Sequence, residues 1–357
     1  MVCIKLIQIQ IRFISLLFLL SVCISETYWV RYGWQAFNSA GDARILSLGG
    51  ETVTDYGTSI SPLFNPAVSN KVGLHNINYT HQSRLAGMIN SDLIGFPIRN
   101  FSRPLNLIII YEGIDQIPDT RNILLDFGLD GVPGTGDTGE GNGILDDGER
   151  LDNDKVKYFS QRQLGLHAST SWEKDNFEFG IALKTLFHSL DKYSGTGIGL
   201  DLGVITYPWE NGRVGVTIRD ITTSWQVWDN GTVERFKPTV ITGIAQSVKS
   251  SKSKLSFTGM TNIVWDIGGK TLDDDFSIGD YGGRIVFGLN IIYNNQLALR
   301  LGRNSLGSVT AGVGLSWGNM SLDYAFLNEP SGSGLGTSHL ISISVSSDWV
   351  KGYIEKL

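Results

Sequence analysis

Residues 282–347 restrict the fold more than any other stretch, because their side chains alternate. Between positions 284 and 293, Ile285, Phe287, Leu289, Ile291 and Tyr293 fall on one side of an extended chain. Arg284, Gly288 and Asn290 fall on the other, where Val286 and Ile292 are apolar exceptions. Asn294 and Asn295 mark a tight turn, after which Leu297, Leu299 and Leu301 resume the apolar side. The pattern returns at Val309, Ala311, Val313, Leu315 and Trp317, then at Met320, Leu322, Tyr324 and Phe326, then at Ile341, Ile343 and Val345. Period two over many short segments requires antiparallel strands with one apolar and one polar face.

The polar face sets the class. A soluble β-sandwich buries its apolar face between two sheets. A membrane barrel turns that face to lipid and keeps small and polar groups inside. Here Gly, Ser and Thr dominate the polar face, and Tyr293, Trp317, Tyr324 and Phe326 lie near strand ends. The expectation is an all-β fold, a transmembrane antiparallel β-barrel with an N-terminal plug-like segment. Composition fits: the chain holds 43 Gly in 357 residues, and its 18% of charged residues is low against the usual ~25%. Past the N-terminus no run of 18 apolar residues occurs, so the membrane signal is that of strands and not of helices.

Alternation and turn residues predict strands at 75–82, 90–98, 105–111, 158–172, 177–190, 197–207, 213–218, 239–248, 254–267, 283–293, 297–303, 309–317, 320–327 and 339–347. That makes about 14, an even number as in closed bacterial barrels. Residues 26–70 read as the plug-like segment, broken by Gly49 and Gly50 and by the Asn65-Pro66 turn; residues 71–347 read as the barrel. Residues 348–357 form a tail in which Trp349 continues the outward series.

Residues 1–25 read as a secretory signal peptide. Lys5 and Arg12 supply positive charge, residues 13–24 an apolar core, and Cys23, Ile24 and Ser25 precede the cut. A lipoprotein reading around Cys23 is poor because Val22 is bulky there. Both cysteines, Cys3 and Cys23, lie in the leader, which leaves no disulfide, thiolate metal site or cysteine nucleophile after its removal. The expected location is the Gram-negative outer membrane. A net charge of −6 points to no nucleic-acid partner.

The stretch "GTGIGLDLGVITYPW", the N-terminal "ARILSLGG" with "NPA", the pair "RVGVTIRDI" and "FKPTVITGIA", and the closing "LALRLGRN", "TAGVGLSWG", "LDYAF" and "LGTSHLISISV" resemble the PorV/PorQ family of FadL-like outer-membrane barrels. The likeness runs over nearly the whole mature chain apart from one insert, and rests on the order and spacing of loose motifs. It implies an outer-membrane barrel of about fourteen strands with an N-terminal plug. Some members receive or hand on secreted proteins as partners of type IX secretion subunits. The alternative is a FadL-type transporter of small hydrophobic molecules. Exterior loops around 225–235 and 328–338 suit protein docking, whereas Gly49, Gly50 and residues 65–67 suit a movable plug.

The insert at 126–149 carries seven acids, eight glycines and no basic residue. It divides into two twelve-residue units with Gly131 and Gly143 at unit position 6 and an acid, Asp137 or Glu149, at position 12. Twelve-residue calcium loops place oxygen ligands at positions 1, 3, 5 and 12 and glycine at 6. Asp126, Asp130, Asp137, Glu140, Asn142, Asp146 and Glu149 are thus the candidate ligands for structural Ca2+ in an exterior loop. Neither unit is complete; the alternative is a solvated acidic loop. Gly134, Gly136 and Gly139 match a dinucleotide pattern by letter, but no βαβ unit surrounds them and the acids would repel phosphate. Catalysis is not expected. His75, His81, His167, His188 and His339 are scattered, and no nucleophile elbow occurs. Asp201, Arg300 and Asp323 fall on polar faces and fit a charge network in the lumen.

Overall fold

The alternating segments close into a wall. In the computed structural model the described residues are 27–29, 34–72, 76–98, 103–221, 223–250, 252–267, 269–328, 334 and 336–355. The leader, with Cys3 and Cys23, and His75 lie outside them. Fourteen strands form the barrel: β1 (Ile77–Arg84), β2 (Ile89–Ile98), β3 (Leu105–Asp119), β4 (Lys157–Lys174), β5 (Phe177–Leu190), β6 (Tyr193–Thr206), β7 (Gly212–Arg219), β8 (Thr239–Ser250), β9 (Leu255–Asp266), β10 (Tyr281–Tyr293), β11 (Leu297–Arg303), β12 (Val309–Trp317), β13 (Met320–Asn328) and β14 (Thr337–Val345). Each pairs antiparallel with the next, and β14 returns to β1 with Ile77 opposite Val345 and Ser83 opposite His339. Closure leaves the barrel no free edge.

The connections differ at the two ends. At one end they include residues 175–176, 207–211, 294–296 and 318–319. At the other lie 120–156, 220–238 and 267–280. Membrane barrels put short turns in the periplasm and long connections outside, which orients the molecule. The loop at 220–238 is partly regular: Ser224–Trp228 and Val233–Phe236 form a hairpin whose first strand pairs with β6. Thr27–Trp29 runs parallel to Val233–Arg235 on that hairpin's other edge.

The apolar side faces outward. Leu299, Val313 and Ile341 are 48%, 52% and 50% exposed, while Asn78, Thr80, Gln82, Asn106, Thr217 and Asn262 on the inner side are fully buried. A soluble sandwich would show the reverse. The exposed apolar band is therefore the lipid contact of an outer-membrane barrel.

Residues 34–72 fill the lumen and run from the exterior end to the periplasmic end. Trp34 packs near Phe236 of the exterior hairpin, and Lys71 bonds Glu178 at the start of β5. The plug is built of short helical turns, two of which are fixed by a side-chain cap. Asp42 accepts the amide of Ile45 at 2.8 Å to start the turn Ala43–Leu46. Asn65 accepts the amide of Ala67 at 3.0 Å to start Pro66–Lys71, where proline at the first position lacks only an amide that would have no helical partner. Between them the chain reverses at Gly49 and Gly50, with φ of 94° and 77°, a region that side chains avoid.

One expectation needs correction. Trp349 does not continue a strand: after β14 the chain turns into a helix, α1 (Ser347–Ile354). The run Ser347–Ile354 is too short and too polar to cross a membrane, and no helix among the described residues can do so.

Candidate functional site

The plug leaves a vestibule of about 500 Å³ at its exterior end. Leu46, Gly49, Gly50, Glu51 and Phe64 of the plug form part of its lining, and Val264 of β9, Thr310 of β12, Leu306 and Leu327 supply others. Its volume lies in the range of small-molecule sites. Charges stand among these apolar groups. Arg219 Nη2 lies 2.8 Å from Glu51, and Arg284 pairs with Asp266 only loosely, at 3.6 Å. Arg84 is bonded to Glu112 and is half-enclosed. The Nε atoms of Arg219 and Arg284 are buried with no partner among the described residues. A buried donor left unmet costs about 1–3 kcal/mol, so these two arginines are held at an energetic cost behind the vestibule wall.

Beside it lies a buried charge cluster. Lys184 of β5 donates to Asp201 at 2.8 Å and to Asp220 at 2.7 Å, and its ammonium lies 5.5 Å from the Trp34 ring. His167 of β4 registers opposite Lys184, and neither of its ring nitrogens has a partner among the described residues. On the other side of the barrel Arg300 donates to Asp323 at 2.6 Å. Asp201, Arg300 and Asp323 are thus lumen groups, as their place on the polar face predicts. Arg44 and Asp55, 2.9 Å apart, hold two parts of the plug together.

A second depression, about 650 Å³, sits in the outer wall among Ile244, Phe287, Leu289 and Leu301. It exists because Gly259 presents no side chain there; a Cβ on it would meet open space. Its apolar rim belongs to the lipid face and not to the lumen.

Among the described residues the histidines do not assemble. His167 and His188 face the lumen, whereas His81 bonds Asp92 and His339 bonds Tyr324 on the exposed surface.

The insert is held by its own carboxylates. Asp126 accepts from the amides of Gly141 and Gly143, both at 2.7 Å, and Glu149 from Gly128 at 2.9 Å and Asp146 at 3.0 Å. Asp137 accepts from Asp130 at 2.8 Å, Glu140 from Gly136 at 2.5 Å, and Asn142 bonds Asp146 at 2.7 Å. The Gly143 amide is the largest cause that holds Asp126 below the usual carboxylate range. Among the described residues no three His, Cys, Asp or Glu side chains are grouped as a metal site. Asp137 abuts Gly128, and Asp146 abuts Gly139.

The plug contacts are what sequence reading missed. Their signal was present: Val286, an apolar residue on the polar face, packs with Val53 of the plug, Ile241 and Val264.

No family profile and no curated protein matches the chain. Among solved structures the chain is similar to the toluene transporter TbuX of Ralstonia pickettii, at 13% identity and a TM-score of 0.48, over 86% of this chain and 98% of that one. The Pseudomonas putida toluene transporter TodX gives 12% identity and a TM-score of 0.48 over the same shares. The Acinetobacter baumannii outer membrane protein Omp33 gives 6% identity and a TM-score of 0.40, over 76% and 96%.

Proposed function

We propose that this barrel admits small hydrophobic molecules across the outer membrane, in the manner of a FadL-type transporter, by movement of the plug beneath the vestibule. The observation that carries the reading is the vestibule itself. Gly49 and Gly50 line it from the plug, its apolar lining includes Leu46, Phe64 and Val264, and Arg84, Arg219 and Arg284 supply its cationic groups. Such a mixture orients a small apolar guest through a few polar groups. The test fixes the plug. Ala43 donates its amide to Ser342 of β14 at 2.8 Å, so Ala43→Cys with Ser342→Cys places two thiols at the plug–wall contact. Cells carrying the barrel should take up a small aromatic such as toluene faster than cells without it. Oxidation of the pair should remove that gain and reduction restore it. Uptake indifferent to both barrel and cross-link would refute the proposal.

A second reading is favoured by the insert, which exposes Leu129, Val132, Ile144 and Leu145 outside the cell. Apolar groups held out on an acidic loop suit contact with a protein, and here the resemblance to PorV/PorQ barrels that handle secreted proteins applies. We propose that calcium orders this surface through the carboxylates at Asp126, Asp130, Asp137, Glu140, Asp146 and Glu149 and the amide oxygen of Asn142, with affinity on the order of 10⁻⁴–10⁻³ M as in extracellular modules. Calcium should protect residues 126–149 from proteolysis and promote capture of secreted proteins from membranes. Cleavage unaffected by chelator would exclude the metal, and capture unchanged by deletion of the insert would exclude the docking role.

A further inference from the structure

The chain does not stop at the barrel's last strand. α1 begins two residues after Val345 and is tied to the periplasmic rim at its start. The amide of Ser346 donates to the carbonyl of Asn319 in the β12–β13 turn at 3.0 Å, and that of Ser347 to the side chain of Asn76, just before β1, at 2.8 Å. The helix is about 12 Å long at 1.5 Å per residue.

Its sequence divides by face. At 100° per residue, Trp349, Val350 and Tyr353 fall on one arc, and Asp348, Lys351 and Glu355 on the opposite one. Trp349 and Tyr353 are one turn apart and stack with ring centroids 6.2 Å apart, yet they are 45% and 60% exposed. Two stacked aromatics left open to water are not explained by packing among the described residues.

The lipid belt explains them. The row at the rim beside the helix start is Trp317, Met320 and Val345, joined by strand register, and Trp317 is itself an exposed outward aromatic. Above it on β14 come Ile343 and Ile341, both exposed. α1 therefore leaves the barrel at the periplasmic edge of a surface that is already in lipid, the level where tryptophan and tyrosine gather in membrane barrels. An amphipathic helix at that level lies in the plane of the interface with its apolar arc among the headgroups and upper acyl chains.

We propose that α1 is an interfacial anchor that seats Trp349 and Tyr353 in the periplasmic leaflet and keeps Lys351 and Glu355 in water. The occupant of the exposed arc is phospholipid, because the helix starts at the edge of the lipid belt and the residue types of the arc are those of a membrane interface.

The test uses the full barrel in vesicles of phosphatidylethanolamine and phosphatidylglycerol. Single cysteines at Trp349→Cys, Tyr353→Cys, Lys351→Cys and Glu355→Cys each receive a nitroxide. Each variant is first shown to fold by its altered migration on an unheated gel. Power saturation then compares collisions with oxygen, which partitions into lipid, and with a water-soluble nickel chelate. We expect the oxygen-to-nickel ratio to be several-fold higher at 349 and 353 than at 351 and 355. Equal, water-like ratios at all four would show a helix free in the periplasm. Equal ratios with immobilised spectra at all four would show a helix packed on protein. Either result overturns the proposal.

Discussion

Leu299→Arg tests the orientation of the wall at its most informative point. Leu299 registers with Ile291 on β10 and Val313 on β12, Val313 with Tyr324, and Tyr324 with Ile341. Val313, Tyr324 and Ile341 are the middle residues of β12, β13 and β14. The row therefore crosses the lipid belt near its midplane. Leu299 is 48% exposed there, in contact with the medium around the barrel. Arginine on the lipid face costs about 2–4 kcal/mol at the midplane and about 0–1 near either interface, so the full penalty applies. Ser316→Arg is the control: Ser316 lies on the inner side of β12, near the periplasmic rim, opposite Ser321. There a guanidinium meets water and polar groups. Urea titration of folding into vesicles should show the Leu299 variant weaker by about 2–4 kcal/mol and the Ser316 variant nearly unchanged. A Ser316 penalty equal to or above that of Leu299 would mean that the two faces are exchanged, and the membrane assignment would fail with them.

Lys184→Met should destabilise by about 3–5 kcal/mol, because it strands Asp201 and Asp220 without their buried counter-charge; adding Asp201→Asn and Asp220→Asn should recover most of the loss in the same titration. Gly302→Ala should loosen the plug at a cost of about 1–3 kcal/mol, since its Cβ would come within 2.5 Å of the Gly49 amide nitrogen; limited proteolysis should then cut within 34–72, while Gly259→Ala, facing open space, leaves the pattern unchanged. The Asp126 carboxylate, depressed by the Gly143 and Gly141 amides, should stabilise the insert above the ordinary carboxylate pKa of ~4. That stabilisation should be lost as pH falls through the lower folded value, seen as rising protease sensitivity at 126–149, and Asp126→Asn should flatten this pH response.

Where lipid imposes the rule, the sequence was legible. From Leu297 to Val345 the outward strand positions avoid Asp, Glu, Lys and Arg except at Arg303, the last residue of β11 at the exterior rim, so alternation located all fourteen strands. The inner side follows no such single rule, because the plug touches it unevenly. Val286 looked like a break in the pattern, but it marks a plug contact, as do the buried inward residues Leu93, Ile108, Ile110 and Leu186. The Lys184 cluster joins β5, β6 and Asp220, groups that no local spacing brings together. Trp349 misled for a different reason. Its spacing from Val345 suits a strand and a helical turn equally, and the hydrogen bonds of Ser346 and Ser347 at the rim decide for the helix.

The same unevenness says how the plug moves. Toward β2, β3 and β5 it presents Trp34, Phe37, Ile60, Leu63 and Phe64 to Leu93, Ile108, Ile110 and Leu186. Separating side chains of that size from their neighbours costs about 1.5–3 kcal/mol each. Toward β11, β12, β13, β14 and β1 the apolar contact is smaller, Ala43 and Leu46 against Ala325 and Leu340, and the rest is backbone and small polar groups. The Ser47 carbonyl accepts from Thr310 at 3.0 Å, the Ala43 amide meets Ser342, and Gln82 reaches the Gly41 carbonyl at 2.6 Å. Exchanging such bonds for water costs only about 0.5–1.5 kcal/mol each. A path should therefore widen on the β11–β1 side while the plug stays seated against β2–β5. Two cross-links separate this from ejection of the whole plug. Ala43→Cys with Ser342→Cys closes the polar side. Ser69→Cys with Ser169→Cys, whose native hydroxyls lie 2.9 Å apart, fixes the plug's end to β4. The first should stop uptake of a small aromatic and the second leave it intact. If the Ser69–Ser169 bridge also stops uptake, the plug leaves as a unit and the asymmetry of its contacts does not direct the path.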